Sequence, residues 1–268
     1  MRRPPVLCYH RVGGPPEIGV TRIGRRAFER QMRTLAERGW RALSLREFAD
    51  RVQRGVAGSC REFLLTFDDG YASLDTHAYP VLREVGFTAT TFLITEHVGR
   101  RNDWDARYTW RRLPHLGWRA IERWQAAGFD FGSHGARHRR LTWLRDDEAE
   151  DELRRSRDTL RAALGEAAAR AVAYPFGACD ARVRRLAGAI GYTLGFGGVH
   201  ASGESLYLPR VPVYTWDRGV PFGLRDDALA RVGRIAARLA SGASVGTSLA
   251  LALTRGRRER AGRREGGR

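Results

Sequence analysis

The run Phe63-Leu64-Leu65-Thr66-Phe67 is followed at once by Asp68, Asp69 and Gly70. A strand with one face in water alternates apolar and polar residues, but this run offers no polar face, so both of its sides must be covered. That is the strand type of a parallel sheet, and this one delivers its carboxylates at the C-terminal end.

The same alternation of a short apolar run with a longer amphipathic one recurs along the chain, which is the rhythm of βα units. Val6 to His10 reads as a first strand. Ala27 to Arg38 places Phe28, Met32 and Leu35 at helical spacing before Gly39, a C-terminal stop. Ser44-Leu45-Arg46-Glu47 has the spacing of a capping box and opens a second helix that ends near Gly55. Further strands are expected at Thr88 to Ile94, Phe129 to Ser133, Ala171 to Phe176, Tyr192 to Phe196 and Leu206 to Tyr214. Helices fall between them at Ala78 to Val85, Trp118 to Ala127, Asp146 to Leu164 and Ala181 to Ile190, while Thr95 to Pro114 reads as an irregular loop. About seven strands alternating with helices, and no hairpin signal, favour an α/β fold of the (β/α) barrel kind, with its chemistry at the C-terminal strand ends.

A length of 268 residues, 43% of them hydrophobic, suffices for one large core with a small appendage. The expected organisation is a barrel over 1–218, a helical extension packed on it over 219–254 and a disordered arginine-rich tail over 255–268. A net charge of +17 would ordinarily suggest a nucleic acid or another anionic partner. Here all 47 basic residues are Arg and none is Lys, which points to a compositional bias, and no specific nucleic acid is expected. Weak contact of the tail with an anionic surface is the remaining electrostatic role. Cys8, Cys60 and Cys179 form no Cys-x-x-Cys and read as buried structural thiols. Val6 to His10 is too short an apolar stretch for a signal peptide, and Leu239 to Thr254 too short and too diluted to span a bilayer. As written, the chain is expected in the cytoplasm, or outside it if the true start lies upstream.

The chemistry-bearing residues cluster at two strand ends, Asp68-Asp69 and Ser133-His134-Gly135-Ala136-Arg137-His138. Two His four residues apart fall on one side of a helical turn, and two His with one carboxylate form a set suited to Zn²⁺, with Co²⁺, Ni²⁺, Mn²⁺ or Fe²⁺ as competitors. A second carboxylate beside such an ion can serve as general base toward water. Gly70 permits the tight turn that would let both Asp residues face one pocket.

With Ala173-Tyr174-Pro175-Phe176-Gly177 as a third element, the chain from about Pro5 to about Val213 resembles the polysaccharide deacetylases that share the NodB homology domain, carbohydrate esterase family 4. The resemblance implies a distorted, NodB-like β/α barrel and a metal-dependent hydrolase that removes N-acetyl groups from an amino-sugar polysaccharide, oligosaccharide or glycan precursor. It implies Asp68 as base, Asp69, His134 and His138 as metal ligands, and the Phe176 N–H as an oxyanion donor. Two departures stand out. Ala173 replaces the Arg that many members place against the base, leaving Arg210 as the candidate substitute, and no late Leu-x-His motif follows Gly177. The start Leu7-Cys8-Tyr9-His10-Arg11 instead resembles the N-terminal Tyr-His of the poly-N-acetylglucosamine deacetylase-like subgroup, which implies His10 as the general acid. Hydrolysis of small amides or O-acetyl esters, and saccharide binding with weak turnover, are the alternatives. Trp143 and Leu144, with Trp104, Trp110 and Trp118, are candidate walls for a sugar ring, or ordinary packing.

Overall fold

The computed structural model describes residues 3–14, 21–55, 61–102, 112–217 and 219. Ten strands follow in chain order: β1 (Val6–Tyr9), β2 (Arg11–Val12), β3 (Arg22–Ile23), β4 (Arg41–Leu43), β5 (Glu62–Phe67), β6 (Thr90–Leu93), β7 (Asp130–Ser133), β8 (Ala171–Ala173), β9 (Leu194–Phe196) and β10 (Val211–Pro212). The main sheet runs β10-β1-β5-β6-β7-β8-β9, with β4 also on β5 and β2-β3 apart, and every one of these pairings is parallel. It curls into a distorted β/α barrel. The helices are α1 (Arg25–Glu37), α2 (Leu45–Arg54), α3 (Ser73–His77), α4 (Tyr79–Glu84), α5 (Trp118–Ala126), α6 (Asp146–Leu164) and α7 (Ala181–Ile190).

Strand parity sorts the side chains into two layers. Leu7 and Tyr9 of β1 and Phe63, Leu65 and Phe67 of β5 point outward, into a core completed by Phe28, Met32 and Leu35 of α1, Leu82 of α4 and Ile121 and Trp124 of α5. Val6 and Leu64 point inward, where they meet Phe92, Ala171, Ala173, Leu194 and Phe196, with Leu45, Phe48 and Val52 of α2 closing this inner layer. The inward rows continue to Cys8 and His10 on β1 and to Thr66 and Asp68 on β5. The barrel interior is therefore apolar below and polar at its C-terminal mouth.

The sheet edges β9 and β10 are not bonded to each other, and the chain between them closes the gap. Leu208 bridges to Phe196, donating its N–H to Gly195 O and accepting from Gly197 N–H, and three residues later β10 pairs with β1. Close approach at this seam is possible because residue 195 has no side chain: a Cβ there would collide with the Leu206 backbone and the Tyr174 hydroxyl.

Several local expectations differ from what forms. The capping box at Ser44 is present in both directions, and Gly55 ends α2 in the left-handed region. Residues 78–85 are part of a broken pair, α3 and α4, with Pro80 opening the second. The strand expected over 206–214 reduces to bridges at Tyr207 and Leu208 and the two residues of β10, and the strand expected over 171–176 ends at Ala173, with a turn of 3-10 helix beginning at Pro175. The extension expected over 219–254, apart from Gly219, and the tail, Cys60, Trp104 and Trp110 lie outside the described residues. Among the described residues, no helix is long and apolar enough to cross a membrane.

Closing the seam through Gly195 predicts that Gly195→Ala lowers stability by about 1–3 kcal/mol through overpacking. A drop in the urea midpoint at unchanged slope would show it, and an unshifted midpoint would contradict a seam closed at this residue.

Candidate active site and metal centre

Neighbouring residues on an extended strand face opposite sides, so Asp68 and Asp69 could not share a pocket without a break in the backbone. The break is a left-handed turn: Asp69 has φ 70° and Gly70 φ 70°. A Cβ on Gly70 would also strike Leu93. The turn is held from outside by the segment after the irregular stretch. His115, buried and stacked on Tyr71, donates its Nδ1–H to Asp69 O at 2.8 Å, and Leu116 N–H bonds to Gly70 O.

The two histidines do not lie on a helical turn, contrary to the spacing argument. They flank a loop after β7 in which Gly135 (φ 79°) and His138 (φ 57°) are both left-handed, bringing the rings to 4.8 Å between centroids. Glu152 of α6, fully buried, supports that loop: its Oε2 accepts from the N–H groups of Ala136 and Arg137, and its Oε1 from Arg137 Nε at 2.6 Å. Ser133 adds a bond from its hydroxyl to Ser156 and accepts from Gly135 N–H.

His134 donates its Nδ1–H to Ala173 O at 2.7 Å, which leaves a lone pair on Nε2. That Nε2 lies 3.5 Å from Asp69 Oδ1, and His138 Nε2 lies 3.7 Å from the same oxygen. Ligand atoms at ordinary bond lengths from a tetrahedral Zn²⁺ stand roughly 3.4 Å apart. All three ligand atoms fall within 4.8 Å of one another on buried residues, so the donor set and its spacing fit one divalent ion. Burial lowers the His134 pKa, keeping the imidazole in the neutral form a metal needs.

Asp68 stands beside this group, its Oδ2 3.9 Å from His134 Nε2. Its partner is Arg210, which enters from the seam between Leu208 and β10 and makes a two-pronged pair, Nη1 to Oδ1 and Nη2 to Oδ2, both at 2.7 Å. Burial by itself would raise the Asp68 carboxyl, but the guanidinium and then His134 hold it well below the usual carboxylate range. The Arg missing at position 173 thus has a counterpart against Asp68, from the segment just before β10.

His10 follows β1 on the inward row. Its ring is half-buried, with Nδ1 shielded from water and lacking a hydrogen-bond partner among the described residues, and burial pushes its pKa down to about 4. Phe176 is left-handed as well (φ 62°), and its ring rests on His138 at 4.7 Å. Among the described residues, the only non-glycine residues at positive φ are Asp69, His138 and Phe176, all three at this site. Backbone strain of this kind collects where the surroundings over-determine a functional geometry.

Sequence reasoning missed Glu152 and His115, since neither carries a motif and both act through tertiary contacts. Replacing Glu152 by Ala is expected to weaken metal binding about 10- to 100-fold, as losses behind a ligand do, with Glu152→Gln less severe. Metal affinity measured on folded protein checks this, and an unaltered affinity would show that the loop holds its shape alone.

The sequence model of the family described as polysaccharide deacetylase matches residues 55–195. YxkH of Bacillus subtilis is 26% identical over 223 residues, covering 82% of this chain and 74% of that protein. The poly-beta-1,6-N-acetyl-D-glucosamine N-deacetylase of Staphylococcus aureus is 30% identical over 109 residues, 36% of this chain and 37% of its own length. Among solved structures, IcaB from Ammonifex degensii superposes with a TM-score of 0.69 at 26% identity, covering 86% of this chain and 96% of that one. A match that extends from Gly55 into β9, more than half of the 268 residues, is kinship over a whole framework and not one shared motif: the chain belongs to the polysaccharide deacetylase family.

Proposed function

We propose that this protein hydrolyses the N-acetyl groups of an amino-sugar polysaccharide, oligosaccharide or glycan precursor, releasing acetate and a free amine. The observation that carries the reading is the Asp69, His134 and His138 group with the clamped carboxylate of Asp68 directly beside it. The staphylococcal relative is named for an N-deacetylase of this kind. An acetamide is a poor electrophile with a poor leaving group, so both ends of the reaction need assistance. A divalent ion held by Asp69, His134 and His138, Zn²⁺ by the N,N,O donor set, supplies a Lewis acid for the carbonyl and lowers the pKa of water.

The remaining steps fall to the chain's own groups. Asp68, ionised throughout the working pH range, takes the proton of the attacking water. The Phe176 N–H, aimed by the left-handed turn, donates to the oxyanion as it forms. His10, which presents a ring nitrogen within 4.8 Å of an Asp68 carboxylate oxygen, donates a proton to the departing amine.

An exposed aromatic close to the site supports a sugar ligand. Trp143 is 49% exposed, the most open to water of the large hydrophobic side chains among the described residues. Trp143 connects to the metal group through Arg140, whose guanidinium lies 5.0 Å from its ring and 5.9 Å from that of Phe176. An aromatic platform linked to the site through Arg140 and Phe176 suits a ring flanking the one that is deacetylated, and favours glycans over small amides.

Acetate release from N-acetylated oligosaccharides by metal-reconstituted protein tests the assignment. Asp68→Asn is expected to keep its metal and lose about 10²–10⁴ in kcat, whereas His134→Ala loses both. An Asp68→Asn variant at full rate would remove Asp68 from the role of base. Trp143→Ala should raise KM for oligosaccharides about three- to tenfold and leave short substrates untouched; an equal effect on both would reduce Trp143 to general packing.

A further inference from the structure

Cys8 was expected to be a structural thiol, yet strand parity turns it inward beneath the site. Its Sγ lies 3.5 Å from Asp68 Oδ2, and the side chain is almost wholly enclosed. Cys8, His10 and Asp68 each present a ligand atom, all within 4.8 Å of one another, and they share no residue with the Asp69, His134 and His138 group. Nδ1 of His10 is shielded and has no hydrogen-bond partner among the described residues, although buried imidazole nitrogens ordinarily find one. Thiolate, imidazole and carboxylate together are a donor set for a thiophilic ion and a poor one for Mg²⁺, Ca²⁺ or Mn²⁺.

We propose that Cys8, His10 and Asp68 form a second metal site, taking Zn²⁺ or Cd²⁺, whose occupation arrests hydrolysis. The inhibitory consequence rests on the reading of Asp68 and His10 as proton carriers; the binding itself does not. The bond-making balances without any redox partner. The Cys8 S–H proton leaves to solvent as the S–metal bond forms, and the Asp68 Oδ2 lone pair that had accepted it becomes available to the ion. Thiolate and carboxylate oppose the two charges of the ion, and with Arg210 still bonded to Asp68 the cluster carries one net positive charge. With the ion in place, Asp68 can no longer accept a proton from water nor His10 pass one on. An adjacent pair of sites thus answers to metal supply: the first equivalent activates and the second inhibits.

Titration of metal-free, full-length protein with Cd²⁺ tests this without reference to catalysis. The wild type should bind a second equivalent and develop the ultraviolet thiolate-to-Cd²⁺ charge-transfer band. Cys8→Ala and the size-preserving Cys8→Ser should lose both band and second equivalent while keeping the first. His134→Ala should keep the band and lose the other equivalent. A band that survives in both Cys8 variants belongs to Cys60 or Cys179 and overturns the proposal, as does a wild type that binds one equivalent with no band. In acetate-release assays, the ratio of activity at excess Zn²⁺ to activity at one equivalent should fall well below one in the wild type and return toward one in Cys8→Ser. A wild type that shows the band but releases no acetate would refute the deacetylase reading and leave the second site standing.

Discussion

A guanidinium with almost no access to water is the constraint around which this barrel is arranged. Arg210 is 4% exposed, and a charge so enclosed persists only if its donors are used. They are: Nη1 and Nη2 bond to Asp68 and Nε to Gly197 O at 3.1 Å. One side chain thereby ties the end of β5 to the loop after β9 from a position just before β10, across the seam where the sheet has no continuous ladder. Removing one partner of such a pair costs about 3–5 kcal/mol, because the other charge is left stranded. The same contact fixes both oxygens of Asp68 and keeps them ionised, so closure of the fold and the charge state of Asp68 are one interaction. Residues 55–195, which the family model covers, contain Asp68 but neither Arg210 nor His10. The matched span holds Asp69, His134 and His138, while the two residues placed against Asp68 come from outside it.

Much of this was legible in the sequence because it depends on local rules. Buried parallel strands reveal themselves by unbroken apolar runs, the Ser44-x-x-Glu47 box marks a helix start, and the charged stretch Asp146–Leu164 has its predicted limits as α6. What escaped depends on distance in the chain. Strands of two or three residues, β2 to β4, are too short to show a period. Glu152 looks like any other acidic residue of a charged helix until the loop from β7 folds over it, and His115 lies after a stretch that reads as irregular. Only the departure at Ala173 hinted that another arginine was needed, and Arg210 could be named a candidate but not seated.

The high charge also takes on a different meaning in three dimensions. Many arginines are committed to neighbouring carboxylates: Arg33 to Glu29 and Glu84, Arg41 and Arg51 to Glu62, Arg137 to Asp151 and Glu152, Arg155 to Glu96. Exposed pairs of this sort add little stability each, but they consume charge that a basic groove would need to leave open.

The three left-handed side chains limit how this site could change over evolutionary time. Asp, Asn and His are the non-glycine residues that tolerate that region best, whereas bulky residues occupy it at a cost. At positions 69 and 138 the backbone therefore admits oxygen and imidazole donors and resists a sulfur or a longer carboxylate arm. Were Asp69, His134 and His138 to hold an ion, the choice among metals would be written first in torsion angles and only then in ligand chemistry. A descendant seeking a softer ion would have to rebuild two turns before exchanging a single donor.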